Sequence, residues 1–328
     1  MRERLIASWS HFVEHCARER FSIGASVFRI IAGVGILYQY LVNYEQRRYL
    51  FGPNGVMPFD AFAGDVGEGF SLYRFAHSTA GFELLFHLGL VVAILFVVGW
   101  RTRLMTALNY VFWVSLHRRF NLLWDGGDNV MQLVLVYALF ADLGAHWSLD
   151  AARRRVRSLD REWARLRAIA HNAAILAFAI QISLVYGVAG LTKVQGETWR
   201  NGTALYYALR AGEFTLPGYS DYIYGSSTLL LLLAYATVAF QVSFPFLLFL
   251  NRRTRTLVVV AGLAFHLGIA FFMGLVTFAI FLIAVDLTLI GDDEYRFVFA
   301  LAEQIARRAR RWSSRRARPE AQTGGART

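Results

Sequence analysis

Apolar residues in this chain fall in runs longer than a half-buried strand or a surface helix requires. Eight runs stand out, at about 22–42, 80–99, 103–118, 128–144, 171–190, 227–250, 256–273 and 274–290. Roughly 17–25 apolar residues suffice for a helix to cross a bilayer while satisfying its own backbone hydrogen bonds. The last two runs form one stretch from Leu257 to Ile290. As a single helix it would be roughly 50 Å long, against a hydrocarbon core of about 30 Å. A break is therefore expected near Met273-Gly274. The pattern predicts an all-α polytopic protein of the cell (plasma) membrane with about eight transmembrane helices. It divides the chain into an N-terminal segment (1–21), a membrane region (22–290) and a C-terminal tail (291–328).

The polar segments between the runs orient them. With alternating loops and the N-terminus inside, 25 arginines fall on the inner side and eight basic residues, Lys193 among them, on the outer side. Positive residues favour the cytoplasmic side. Both termini are therefore expected in the cytoplasm, and the segment after Lys193 outside.

Composition agrees. The chain is 56% hydrophobic and 17% charged, with a mean hydropathy of +0.40. The net charge of +11 needs no nucleic-acid partner, since topogenic arginine and the basic tail account for it. That tail is suited to anionic membrane lipid and ends in a stretch expected to be disordered. The segment 151–167, with Val156, Leu159, Trp163 and Leu166 at helical spacing, reads as an interfacial amphipathic helix. The short aromatic stretch 204–209 reads as another. Cys16 is the sole cysteine, which leaves no intrachain disulfide and no cysteine metal cluster. No cleavable signal peptide is expected.

Lys193 is the single lysine among 34 basic residues. Arginine keeps its proton in a protein, whereas a desolvated lysine can release it and act as a base. A lysine at a helix end also snorkels to the interface for purely structural reasons. Other ionisable groups border the spans. Arg29 with Asp142 or Asp286 reads as a structural ion pair toward the inner side. Glu83, His87, Asp125, Asp128, Lys193 and His266 share a depth toward the outer side and could line one cavity. Each histidine alone also reads as a satisfied core residue. No His-x-x-x-His or Glu-x-x-His pair suggests a metal, and nucleophile-triad, P-loop and dinucleotide patterns are absent.

Several short stretches resemble one family. They are Phe28-Arg29-Ile30, Tyr49-Leu50-Phe51-Gly52-Pro53-Asn54-Gly55, Asp125-Gly126-Gly127-Asp128-Asn129, His146-Trp147-Ser148-Leu149-Asp150, and Ala189-Gly190-Leu191-Thr192-Lys193 with downstream Trp199, Gly202 and Tyr207. Their order and spacing are similar to the horizontally transferred transmembrane (HTTM) family, which includes the vitamin K-dependent gamma-carboxylase. In that enzyme an Ala-Gly-hydrophobic-x-Lys segment carries the lysine base that deprotonates reduced vitamin K. The resemblance places Lys193 on that lysine; with the outer-depth groups Asp128, His87 and His266 it makes up the candidate catalytic set. It also makes a reduced menaquinone-type quinol the cofactor to consider.

Two departures separate the chain from the carboxylase. Gly127 stands where the carboxylase has a catalytic histidine, and only the tail follows the membrane region. The compact form looks more like the bacterial branch that contains the sporulation-delaying protein B family, which the stretch 268–278 also fits. That resemblance implies maturation of a secreted peptide at the outer face, with a small partner protein. The rival reading is non-catalytic: a lipid- or quinone-binding scaffold, or a toxin-immunity membrane protein.

Overall fold

The computed structural model describes residues 20–66, 69–120, 124–154 and 160–316, together with Glu14 and Ala17. Cys16, the middle of the 151–167 segment and the tail end expected to be disordered lie outside the described residues. Among the described residues nine longer helices carry the fold: α1 (Ser22–Val42), α2 (Thr79–Val98), α3 (Thr102–Arg119), α4 (Gly126–Ala138), α5 (Arg161–Gln195), α6 (Ser227–Leu250), α7 (Arg252–Met273), α8 (Val276–Thr288) and α9 (Asp292–Arg316). Among the described residues there is no β-strand.

Five of these helices, α1, α2, α5, α6 and α7, are long and apolar enough to cross a bilayer. The helices at the other three expected spans are shorter or more polar. Helix α3 carries Arg103, Asn109, His117, Arg118 and Arg119 in its 18 residues. Helices α4 and α8 have 13 residues each. Thirteen residues reach only about 20 Å. The break near Met273 is present: α7 ends there and Gly274 adopts a left-handed φ of 71°, a conformation glycine takes without a Cβ clash.

Helix α5 is longer than expected. Its 35 residues run without interruption from Arg161. Trp163 and Leu166 therefore belong to the N-terminal extension of a span and not to a separate interfacial helix. Leu149–Arg154 forms its own short helix before them. An aromatic helix does form at Ala204–Ala208. The tail begins as the 25-residue α9, with Asp292, Asp293 and Glu294 in its first turn, where acidic groups complement the helix dipole.

Helix α1 packs between α2 and α8, and α8 in turn packs on α4 and α7. Small residues permit this. A Cβ on Gly35 would stand 2.6 Å from the Phe281 ring, and one on Gly24 2.7 Å from the Thr288 carbonyl oxygen. Phe28 on the same helix meets Phe178 of α5 edge to face at 4.9 Å.

Arg29 is wholly buried, and its partners differ from those expected. Its guanidinium donates to the carbonyl oxygens of Leu143 (3.0 Å), Phe96 (3.1 Å), Trp147 (2.7 Å), His146 (3.3 Å) and Val97. Phe96 and Val97 end α2, where the last carbonyls lack helical donors and carry the negative end of the dipole. Asp142 instead accepts from Arg167, and Asp286 sits with Tyr186 and His266. The expected Arg29–carboxylate pair is thus replaced by a cage of backbone oxygens.

Candidate functional site

Lys193 lies in the last turn of α5, half-buried. Its Nζ stands 3.5 Å from the Ala189 carbonyl oxygen and 5.1 Å from the Trp199 ring centroid. Among the described residues no carboxylate comes within salt-bridge reach of it. Gly190, one turn back, brings α5 against α6, for a Cβ there would meet the Val242 backbone nitrogen at 2.9 Å.

Seven residues before Lys193, two helical turns and about 10 Å lower on the same face, stands Tyr186. It is the hub of a buried polar cluster. Its hydroxyl donates to Asp286 Oδ2 (2.8 Å) and lies 2.6 Å from His266 Nε2. All three residues are at most 1% exposed. His266 Nδ1 and Asp286 Oδ1 have no hydrogen-bond partner. Phe240, Phe244, Phe265 and Phe278 wall the cluster. The placement corrects the depth expected for two residues. Asp286 lies ten residues into α8 and His266 eight residues before Gly274, so helical rise brings both to similar depth.

A second cluster forms at the start of α4. Asp125 and Asp128 make a capping box: Asp125 Oδ1 accepts from the Gly127 (2.6 Å) and Asp128 (3.0 Å) amides, and Asp128 Oδ2 accepts from the Asp125 amide (3.0 Å). This is why the Asp-Gly-Gly-Asp-Asn turn nucleates a helix here. The remaining oxygen of Asp128, Oδ1, faces His117 Nε2 at 3.4 Å and Gln39 Nε2 at 3.5 Å. Gly127 is held against α8, with a Cβ position 2.8 Å from Phe278 Cα. An imidazole does therefore stand beside this turn, contributed by His117 of α3.

His87 belongs to a third cluster. Its Nδ1 bonds the Glu83 carbonyl oxygen at 2.7 Å, and its Nε2 lies 3.1 Å from the Tyr44 hydroxyl. Glu83 pairs with Arg47 (3.0 Å) and Arg48 (2.5 Å). Both ring nitrogens of His87 are thus engaged, Nδ1 within α2 and Nε2 with the segment after α1.

Among the described residues the four candidates share no hydrogen bond or ion pair with one another; each has its own partners. A shared depth does not fix the angle around a bundle. Phe278 stands between His266 and Gly127. The arrangement also brings in Tyr186 and His117, which the sequence reading did not single out. Tyr186 had one signal, its seven-residue spacing from Lys193; His117 had none. No group of three or more His, Cys, Asp or Glu side chains suited to a metal occurs among the described residues.

A family model described as the HTTM domain matches residues 69–291, which contain every cluster above apart from the partners contributed by α1 and the segment after it. The sporulation-delaying protein SdpB of Bacillus subtilis (strain 168) is 22% identical over 267 residues, covering 79% of this chain and 78% of that protein. No solved structure matches the chain.

Proposed function

The chain belongs to the HTTM family, and we propose that it modifies or matures a secreted peptide at the outer face of the cell membrane, with Lys193 as general base. In this reading the chain crosses the membrane about eight times with both termini inside. The observation that carries it is the setting of Lys193: the only lysine of the chain, half-buried, over an aromatic ring, and without a carboxylate partner among the described residues. An amine so placed lacks the negative neighbour that would hold its proton. The likeness to the sporulation-delaying protein SdpB agrees with the branch whose resemblance implied a secreted peptide and a small partner protein.

The surroundings of Lys193 fit a reduced quinol. Leu191 and Val194 beside it are exposed and apolar, and Trp199 offers a flat ring. When bound, a quinol would supply an acidic hydroxyl. The protein's own part is to present the lysine amine at the end of α5 and to hold α5 in place through Tyr186 and its two buried partners.

The contact with Trp199 also favours a second reading, a snorkelling lysine in a non-catalytic scaffold or immunity protein, because an ammonium gains from an aromatic face. Lys193→Arg separates the two. Arginine keeps the charge and the ring contact but cannot release its proton. Abolished peptide maturation or quinol epoxidation in a variant that folds normally supports the base; full function rules it out.

A further inference from the structure

Two cavities meet at Arg255. One, of about 300 Å³, is walled by Ile175, Ala179, Leu248 and Leu289. The other, of about 380 Å³, is lined by charged residues, including Arg252, Asp292 and Glu294. Arg20, Phe21 and Arg255 line both. An apolar chamber opening beside a polar one, with arginines at the junction, has the form of an amphiphile.

The charges decide which amphiphile. The acidic residues of the polar chamber are already engaged. Asp292 caps α1, accepting from the Ile23 (2.8 Å) and Ser22 (3.2 Å) amides. Asp293 and Glu294 accept from Arg252 at 3.2 Å and 2.5 Å. Arg255 reaches Glu294 only at 4.0 Å, and its buried Nε has no hydrogen-bond partner. A buried donor left in that state is costly. The backbone beneath it is also unusual. Phe21 holds a left-handed φ of 62°, an outlier for a bulky residue, and so places its ring 4.9 Å from the Arg255 guanidinium. Such strain clusters at ligand clamps.

We infer that this junction is a binding site for an anionic phospholipid, its phosphate on Arg255 and an acyl chain in the apolar chamber between α5, α6 and α8. The site lies at the arginine-rich end of the bundle and does not depend on the chemistry proposed for Lys193. Arginine recognises phosphate through a fork of donors, and the apolar chamber distinguishes a lipid from free phosphate.

The test uses the full-length protein in detergent, with native mass spectrometry and thermal unfolding as readouts. The probes are phosphatidylglycerol, phosphatidylcholine and glycerol 3-phosphate. Phosphatidylglycerol is expected to be retained and to raise the melting temperature, with phosphatidylcholine and glycerol 3-phosphate each at least tenfold weaker. Arg255→Gln should weaken phosphatidylglycerol binding at least tenfold. Arg253→Gln, at an exposed position two residues away, should not. Leu176→Trp, which projects bulk into the apolar chamber from a half-exposed position, should also weaken it and serves as the deciding variant if Arg255→Gln fails to fold. Equal binding of the two lipids, or unchanged binding in both variants, overturns the site. Glycerol 3-phosphate binding as tightly as the lipid makes it a free-phosphate site and overturns the lipid assignment.

Discussion

Tyr186 donates to Asp286 across 2.8 Å while its oxygen stands 2.6 Å from His266 Nε2. The three residues come from α5, α8 and α7. With the tyrosine hydrogen on Asp286, His266 Nε2 is the nitrogen that carries hydrogen, and Nδ1 is the bare one. Nδ1 is also the ring nitrogen without a partner. One hydroxyl thus gives one atom of a carboxylate and one of an imidazole a partner amid apolar rings, leaving Asp286 Oδ1 and His266 Nδ1 unpaired.

Removing that hydroxyl should be costly. Tyr186→Phe is expected to lower stability by about 2 kcal/mol, the scale of leaving buried polar groups unsatisfied. Denaturant unfolding in detergent checks it. Unchanged stability would mean that the hydroxyl does not hold the cluster together.

Gly262→Ala should strain the same cluster from α7. The added Cβ would lie 2.6 Å from Asp286 Oδ2 and 3.3 Å from the Tyr186 hydroxyl. Overpacking of this kind costs about 1–3 kcal/mol. A double variant with Asp286→Ala should recover part of the loss in the same unfolding assay, and independent, additive effects would refute the contact.

Arg29→Leu should destabilise the protein by about 3 kcal/mol or more, since several buried carbonyls lose a charged donor. Adding Asp142→Asn or Asp286→Asn should not restore expression or melting temperature. Rescue by either would re-establish a direct ion pair.

Acid should loosen α9 from α7 through Glu294. Partial burial pushes its carboxyl up, but the hydrogen bond and charge of Arg252 and the charge of Arg255 outweigh this and hold it below the usual range. A depressed folded value means the contribution is present at neutral pH and is lost as pH falls through the carboxylate range. Thermal melts from pH 7 downward should fall more steeply for the wild type than for Glu294→Gln. Parallel curves would remove Glu294 from the account.

Orientation is checked by labelling single cysteines in intact cells with Cys16 replaced. A cysteine at Asn201, beside Lys193, should react from outside, and one at Arg253 only after permeabilisation. The reverse pattern would overturn both the topology and the outer-face site.

The run lengths and arginine distribution of this chain are enough to read an all-helical protein with membrane-length apolar helices and the break at Gly274. Those features are local: a run either can or cannot span a bilayer, and a glycine that ends a helix is visible beside its neighbours. The partners of buried polar groups are not local. Arg29 could be read as needing a counter-charge, yet carbonyls at the end of α2 and in the 143–147 turn meet it, because a helix terminus offers oxygens that no residue letter reports. Sequence depth suggested one cavity for Lys193, Asp128, His87 and His266; in the structure each has its own hydrogen-bond or ion-pair partners, set by helix azimuth as well as depth. His117 joins Asp128, and Tyr186 joins His266 to Asp286, through side chains that different helices turn toward one another. Rotation depends on side-chain packing across the whole bundle, so tertiary structure alone decided it.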